Sequence, residues 1–143
     1  MGDVSEVIDV RVGTDVQSIE EVEEAVRRYG ERYLTRVFTP HEIESCGGMD
    51  APPPACAPGL TARFAAKEAV FKLLRPSTAI PRWKEVEVRR SPEGGVDLNL
   101  SGTAARLAHD GGFVRYDVSL SHGAGIGYAT VVGLRELADG GTR

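Results

Sequence analysis

Apolar side chains recur at two spacings along this chain, and the spacing predicts where strands and helices lie. In residues 7–12 the apolar Ile8, Val10 and Val12 alternate with the charged Asp9 and Arg11. A period of two is typical of a strand that presents one face to a core. We therefore predict a first strand that stops at Gly13 and leaves Asp15 at its end.

Two helix starts follow, each marked by a hydroxyl residue with a glutamate three positions later. Ser18 and Glu21 form the first capping box. Apolar residues then recur at helical spacing, at Ile19, Val22, Val26 and Tyr29. The second start is at Thr39, with proline at the first helical position, and it predicts a short helix towards Ser45.

The middle of the chain combines a proline-rich run with the longest helical pattern. Residues 47–59 contain PPPACAPG, which we interpret as a surface loop because proline cannot continue a helix. A helix over residues 60–74 follows, and its centre is RFAAKEAVFK at residues 63–72. Apolar residues lie almost all round this helix, which predicts that it is buried.

Alternating patterns return in the second half of the chain. They predict a hairpin of residues 85–89 and 96–100 around a turn at 91–95, a strand over 114–120 and a central strand over 128–132. A short helix near 103–108 interrupts them, and the tail at 135–143 is predicted to be frayed. This order favours an α+β fold for a single domain over residues 1–143, with a long central helix packed on an antiparallel sheet.

Composition excludes several classes of protein. A net charge of −4 without a basic tract argues against nucleic-acid binding, and no apolar run approaches the roughly 20 residues of a membrane span. The start of the sequence lacks the pattern of a secretory signal, so we expect a cytoplasmic protein. Cys46 and Cys56 have no His or Cys partners at metal-ligand spacing, and we expect free thiols.

The charges on the central helix are the strongest functional signal. A buried charge is costly unless it is paired, so Glu68 and Lys72 should meet partners outside the helix. A salt bridge between these two residues on a solvated edge is the alternative. Arg63, Lys67 and Lys72 place three cations beside one acid, which suits a polyphosphate with its divalent metal. The segment therefore indicates phosphate chemistry.

Three segments, in this order, resemble the motifs of the phosphopantetheinyl transferases. They are Gly13-Thr-Asp15-Val, the central RFAAKEAVFK, and Val118-Ser-Leu-Ser121-His122. The short layout is similar to that of the holo-[acyl-carrier-protein] synthase type. The resemblance implies transfer of the phosphopantetheine arm of coenzyme A to a serine of an apo acyl carrier protein. It also implies a requirement for Mg²⁺ and release of adenosine 3',5'-bisphosphate.

The resemblance further implies roles for single residues. Asp15 and Glu68 would ligate Mg²⁺, and Glu68 would also accept the serine proton, directly or through a water. Lys72 would meet the charge that grows on the leaving group. Besides Asp15 and Lys72, the residues implied to contact coenzyme A are Arg63, Lys67, Ser121 and His122. Solvated helix charges remain the alternative for Arg63 and Lys67, and a turn residue is the alternative for His122.

The sequence departs from this family mainly at the surface for the carrier. Many relatives carry a basic residue early in the first helix, where this chain is acidic over residues 20–24. We expect the acidic helix of the carrier to dock lower, against Arg27, Arg28 and Arg32, although a carrier with a neutral or basic helix is the other solution. Residues 75–77, Arg-Pro-Ser, stand where relatives have Gly-Thr-Gly, and the proline-rich loop is long.

Assembly and catalysis leave two further expectations. Proteins of this type are typically homotrimers with the active site between neighbouring subunits, and the resemblance implies the same here. A non-catalytic relative that binds coenzyme A or a carrier is the second functional class. The joint presence of Asp15, Glu68 and Lys72 favours the transferase, because a binding module does not need the full set.

Overall fold

One long helix organises two antiparallel sheets and four further helices in the computed structural model, which describes residues 8–136. The strands are β1 (Ile8–Ser18), β2 (Val86–Arg90), β3 (Val96–Leu100), β4 (Phe113–Gly123) and β5 (Ile126–Glu136). The helices are α1 (Ile19–Tyr29), α2 (Glu31–Val37), α3 (Pro40–Ser45), α4 (Pro53–Leu74) and α5 (Gly102–Asp110), and a 3-10 turn spans Trp83–Glu85.

The larger sheet has the strand order β1-β5-β4, and β2 pairs with β3 in the smaller one. All pairings are antiparallel. Asp15 and Leu120 both lie opposite Ala129, so the three residues share one face of the larger sheet. The predicted α+β fold, with its antiparallel sheet, long central helix and central strand near residues 128–132, is confirmed.

Glycines let the larger sheet approach α4 closely. A Cβ on Gly13 would lie 2.1 Å from the carbonyl oxygen of Ala69, and a Cβ on Gly127 would lie 2.7 Å from the Cγ2 of Thr61. No side chain fits into such a contact, so β1 and β5 meet the helix backbone directly. Gly13 therefore serves a packing contact inside β1 and does not end the strand.

Two apolar clusters cover different sides of α4, which confirms that the helix is buried. One cluster joins the second half of α4 to both sheets and α5, through Ala69, Leu73, Val86, Ala104 and Val131. The other joins the first half of α4 to the three preceding helices, through Val22, Leu34, Phe38, Ile43 and Leu60. The helix is thus the shared wall of both clusters.

The predicted loop over residues 47–59 is partly wrong, because α4 begins at Pro53. Pro53 and Pro54 occupy the first turn, where a backbone N–H has no helical partner, so proline is tolerated there. Pro58 alone lies further inside and removes one backbone hydrogen bond. Burial of Cys56 and Leu60 in the cluster with the first helices offsets that loss.

The predicted orientation and end of the first strand are also wrong. β1 continues to Ser18, and Ile8, Val10 and Val12 are 53%, 56% and 61% exposed. The close contact at Gly13 turns the odd-numbered residues of β1 towards α4, which leaves the even-numbered ones on the opposite side. We call this opposite side the outer sheet face. Its exposed apolar residues are Ile8, Val10, Val12, Val16, Ile126, Tyr128 and Val132.

Smaller differences complete the comparison with the sequence patterns. Helix α2 was not predicted, and a register shift at the start of β4 buries Phe113 and exposes Val114. β5 extends to Glu136, two residues into the predicted tail, whereas Val7 and residues 137–143 lie outside the described part of the chain. Within residues 8–136, no helix has the length and hydrophobicity needed to cross a membrane.

Candidate active site

The first and second motifs meet at an ion pair between β1 and α4. The Lys72 amine donates to Asp15 Oδ1 and to the carbonyl oxygen of Thr14, both over 2.9 Å. Gln17 Nε2 donates to the other Asp15 oxygen over 2.6 Å. The Lys72 side chain is 58% exposed and that of Asp15 only 12%. The charge of Asp15 is therefore held in a fixed place by a lysine that solvent can reach.

Glu68 lies one helical turn before Lys72, and its partner is also outside α4. The Trp83 indole nitrogen donates to Glu68 Oε1 over 3.1 Å. The prediction that Glu68 and Lys72 find partners outside the helix is confirmed, and Lys72 pairs with Asp15 rather than with Glu68. We call Asp15, Glu68 and Lys72 the carboxylate cluster.

The carboxylate cluster has a donor set that suits Mg²⁺ bound together with a substrate. Asp15 and Glu68 carry carboxylate oxygens, and Mg²⁺ is commonly bound by one or two carboxylates, waters and substrate phosphates. Among residues 8–136 there is no group of three or more His, Cys, Asp or Glu side chains able to hold a metal by themselves. A metal at the cluster would therefore need oxygens from water or from the substrate to complete its shell.

The predicted phosphate contact of Lys67 needs correction, and so does its alternative as a solvated charge. Lys67 is fully buried, and its amine donates to Glu42 Oε1 over 2.6 Å and to the carbonyl oxygens of Trp83 and Val86 over 3.1 and 2.5 Å. An ammonium group has three donors, and all three are used. Burial lowers the pKa of Lys67, and the Glu42 carboxylate opposes that shift.

Glu42 is the residue whose role the sequence did not reveal. The pattern indicated only a capping box, and that box is present, with Glu42 Oε1 accepting from the Thr39 backbone N–H over 2.9 Å. The same carboxylate also pairs with Lys67, and its Oε2 accepts from the Val88 N–H over 3.0 Å. The one available signal was a lysine in an apolar helix, which requires an acid without saying which one.

A second group of site residues surrounds a cavity of 610 Å³ next to the first half of α4. Its lining includes three residues predicted to contact coenzyme A, Arg63, Ser121 and His122, and one that was not predicted, Arg90. Arg63 is only 6% exposed, and its Nη1 donates to the Gly59 carbonyl oxygen over 3.1 Å. We call this space the basic cavity.

The Arg63 side chain retains an unused donor in the basic cavity. Its Nε is buried and has no hydrogen-bond partner among the described residues. Leaving such a group unpaired costs free energy, more so when it is charged. His122 and Ser121 are exposed at the opposite wall, which is the end of β4.

Cys46 and Cys56 also border the basic cavity, and both are free as predicted. Burial raises the pKa of each thiol. A raised pKa keeps a thiol protonated and poorly nucleophilic near neutral pH. Neither cysteine therefore has the electrostatic surroundings of a reactive thiolate.

The three arginines predicted to dock the carrier differ in their surroundings. Arg27 pairs within its own helix, with Glu23 over 2.8 Å and Glu24 over 3.1 Å. Arg28 lies 6.0 Å from the centre of the Tyr29 ring. Arg32 borders a surface groove of 360 Å³. This groove, the Tyr-Arg groove, is lined by Tyr29, Arg32, Tyr33 and Arg36.

Comparison with known proteins identifies the family of this chain. The sequence profile described as the 4'-phosphopantetheinyl transferase superfamily matches residues 11–119. A holo-[acyl-carrier-protein] synthase of Desulforudis audaxviator is 39% identical over 127 residues, which cover 87% of this chain and 94% of the relative. One from Halothermothrix orenii is 34% identical over 122 residues, 85% of this chain and 94% of the relative.

Solved structures give the same result for the fold. A Chronobacterium ammoniagenes ACPS–CoA complex superposes with a TM-score of 0.74 at 28% identity, over 91% of this chain and 99% of that one. A Helicobacter pylori holo-[acyl-carrier-protein] synthase in complex with coenzyme A has a TM-score of 0.69 at 27% identity, over 86% and 99%. The chain belongs to the 4'-phosphopantetheinyl transferase superfamily, and within it to the holo-[acyl-carrier-protein] synthase type.

The buried Lys67–Glu42 pair predicts a large difference between two lysines of one helix. Lys67→Met should lower the free energy of unfolding by about 3–5 kcal/mol, because it leaves the Glu42 charge buried without its partner. Lys72→Met should cost only about 0–1 kcal/mol, since Lys72 itself is largely exposed and Gln17 continues to donate to the Asp15 carboxylate. Urea unfolding of both variants measures the difference.

A double variant separates the lost charge from the lost packing. Glu42→Gln added to Lys67→Met should recover part of the stability, because a neutral amide needs no counter-ion. Equal costs for the two single lysine variants would show that the buried pair does not stabilise the fold.

Proposed function

We propose that this protein transfers the phosphopantetheine arm of coenzyme A to a serine hydroxyl of an apo acyl carrier protein and releases adenosine 3',5'-bisphosphate. The observation that carries the proposal is that α4 brings all three motifs to one region. Its Lys72 pairs with Asp15 of the first motif, and its Arg63 shares the basic cavity with His122 of the third. The names of the relatives support the same activity.

Coenzyme A is the proposed occupant of the basic cavity. The molecule carries a phosphate on its ribose and a pyrophosphate, and Arg63 and Arg90 are cations at the cavity wall. The guanidinium group of Arg63 is always charged and can pair with a phosphate oxygen. His122 and Ser121 provide a ring and a hydroxyl at the other wall, consistent with contacts to the nucleotide part. Two related structures contain coenzyme A.

Asp15 and Glu68 are the residues proposed to hold Mg²⁺. When bound, the ion would neutralise the pyrophosphate while the phosphoryl group transfers. In the structure Lys72 neutralises Asp15. Because Lys72 is largely exposed, its amine can turn from Asp15 to a phosphate and balance the negative charge of the departing adenosine bisphosphate.

Glu68 is also the proposed acceptor of the serine proton. A general base must come within hydrogen-bond reach of the hydroxyl, directly or through one water. Glu68 is half-buried, and the hydrogen bond from Trp83 engages only its Oε1. The second oxygen of the same carboxylate is therefore the one proposed to take the proton. A non-catalytic relative is not favoured, because the curated relatives are synthases.

A homotrimer is the proposed assembly, with copies of this chain covering the outer sheet face. Seven large apolar residues are exposed together on that face. Soluble monomers rarely expose a continuous apolar patch of this kind, which usually marks a protein contact. The face is the other side of the strands that carry Asp15 and Ala129, so a neighbouring copy on it would be separated from the carboxylate cluster by the thickness of the sheet. The cytoplasmic location stays a prediction.

The acyl carrier protein is proposed to dock on α1 and α2. Arg27 is occupied by Glu23 and Glu24, so its charge is partly cancelled. The other cations are Arg32 and Arg36, which line the Tyr-Arg groove, and Arg28 next to Tyr29. None of them forms a salt bridge of this kind among the described residues. An acidic helix would meet both charge and aromatic surface there. The sequence left two possibilities for carrier docking. Docking of an acidic carrier helix on the arginines that follow the acidic residues 20–24 is the better supported of the two.

Loss of either carboxylate should abolish most of the transfer. Asp15→Asn and Glu68→Gln keep the shape of each side chain but weaken a metal ligand, so each should lower the rate on the order of a thousandfold. The measurement is the mass gain of an apo carrier incubated with coenzyme A and Mg²⁺. Glu44→Gln, an exposed acid on α3, is the control and should react normally. Near-normal transfer by a cluster variant would remove that residue from the site.

Charge reversal should locate the docking surface. The double variant Arg28→Glu with Arg32→Glu should raise the KM for the carrier strongly, because the encounter is electrostatic. Added salt should make the difference in KM between this variant and the wild type smaller. Arg32→Glu is compared with Arg106→Glu on α5, which changes the net charge equally at another exposed helix. An unchanged carrier KM in the double variant would favour a carrier with a neutral or basic helix.

A charge on the outer sheet face should dissociate the trimer. Val12→Glu places a carboxylate in the middle of the face, where association would bury it without a partner. Light scattering at micromolar concentration should then give the mass of one chain instead of three. Ile80→Glu is the control, because Ile80 is an exposed apolar residue that belongs to neither sheet. A monomeric wild-type protein would contradict the assembly.

A further inference from the structure

Three side chains on one face of α4 hold Trp83. Phe64, Lys67 and Glu68 stand at positions i, i+3 and i+4, so they are neighbours on the helix surface. The Phe64 and Trp83 ring centres are 6.0 Å apart at an interplanar angle of 55°. Lys67 donates to the Trp83 carbonyl oxygen, and the Trp83 indole donates to Glu68 Oε1, each over 3.1 Å. The main chain and the ring of Trp83 are thus both fixed.

The support for Trp83 continues into the buried ion pair. Lys67 is fixed in turn by Glu42, whose carboxylate also accepts from the backbone N–H of Val88 in β2. Trp83 begins the 3-10 turn directly before β2, so the ion pair, through its bond to Val88, also fixes the strand that follows the turn. The indole therefore has little freedom to follow Glu68 if that side chain moves. It acts as a fixed donor.

The indole hydrogen bond determines how the Glu68 carboxylate is turned. An indole N–H can only donate, and it engages Oε1 alone. With one oxygen held, the direction of the second oxygen is set as well. Carboxylates that ligate metals are commonly oriented by such outer hydrogen bonds, and losing one typically weakens metal affinity or activity by 10- to 100-fold, as an order of magnitude.

Packing alone does not require this hydrogen bond. Trp83 is only half-buried, and water could satisfy its N–H if the ring stayed on Phe64. Phenylalanine would preserve the ring contact, and the carbonyl bonded by Lys67 belongs to the backbone. The fold could therefore be kept without the indole nitrogen.

We propose that Trp83 is a positioning residue for Glu68, held by the Lys67–Glu42 pair so that its indole orients the carboxylate for its part in the reaction. The inference rests on the proposed function, because that function gives Glu68 its roles as metal ligand and proton acceptor. It adds a residue outside the three motifs to the working site.

The first experiment observes the hydrogen bond without coenzyme A, carrier or metal. Trp83 is the only tryptophan, so the indole N–H gives one resonance in a ¹H–¹⁵N spectrum. Glu68→Ala should speed its exchange with solvent by about tenfold or more, since a hydrogen bond to a charged acceptor is lost. Asp15→Ala is the control and should leave the exchange rate unchanged, because the hydrogen bonds of Asp15 come from Gln17 and Lys72.

The second experiment removes the donor and keeps the ring. Trp83→Phe should unfold at nearly the wild-type urea concentration, yet need about 10- to 100-fold more Mg²⁺ for half-maximal transfer. Binding of Mn²⁺ as a stand-in, followed by electron paramagnetic resonance with coenzyme A present, should weaken by a similar factor. The KM for the carrier should change little, because Trp83 lies outside the docking arginines.

The outcomes separate this inference from the proposed function. The positioning role would be overturned if Trp83→Phe kept the metal dependence and Mn²⁺ binding of the wild type. It would also be overturned if Glu68→Ala left the indole exchange rate unchanged. A protein that transfers nothing to any carrier, although its indole responds to Glu68→Ala, would refute the function and leave the hydrogen bond standing. If Trp83→Phe unfolds at a much lower urea concentration than the wild type, Trp83→His replaces it, because histidine keeps a ring N–H. Restored metal binding in Trp83→His would support the positioning role, and weak metal binding would overturn it.

Discussion

The ion pair between Lys67 and Glu42 is the interaction on which the arrangement of this molecule depends. It joins α4 to α3 through the carboxylate, and to the 3-10 turn and β2 through two carbonyl oxygens. Both charges are completely buried, so neither tolerates the loss of the other. The position of the small sheet relative to the long helix, and with it the position of Trp83 against Glu68, follows from this pair.

A second constraint acts at the larger sheet, where α4 meets backbone instead of side chains. Gly13 and Gly127 allow β1 and β5 to lie against the helix, and this contact brings Asp15 within reach of Lys72. It also decides which face of β1 is turned outwards. The exposed apolar face and the carboxylate cluster are thus two results of one close approach, which is why we connect assembly with the site.

The basic cavity and the carboxylate cluster lie along α4 and suit different parts of the proposed reaction. The basic cavity at the first half of the helix is lined by Arg63 and Arg90, whose charges suit a bound anion. The carboxylate cluster at the second half combines acids with an exposed lysine, which suits a metal and a changing charge. A rigid helix keeps the two at a constant separation, as transfer between two fixed substrates requires.

The sequence by itself determined the fold class and most of the helices and strands, because capping boxes and the alternation of apolar residues are local signals. It also pointed to Asp15, Glu68 and Lys72. Only the tertiary structure decided that Lys67 is a buried structural cation, that Glu42 is its partner, and that the apolar side of β1 faces outwards. Each of these depends on which residues meet across long separations in the chain, and a buried charge or a strand face carries no local mark of its partner.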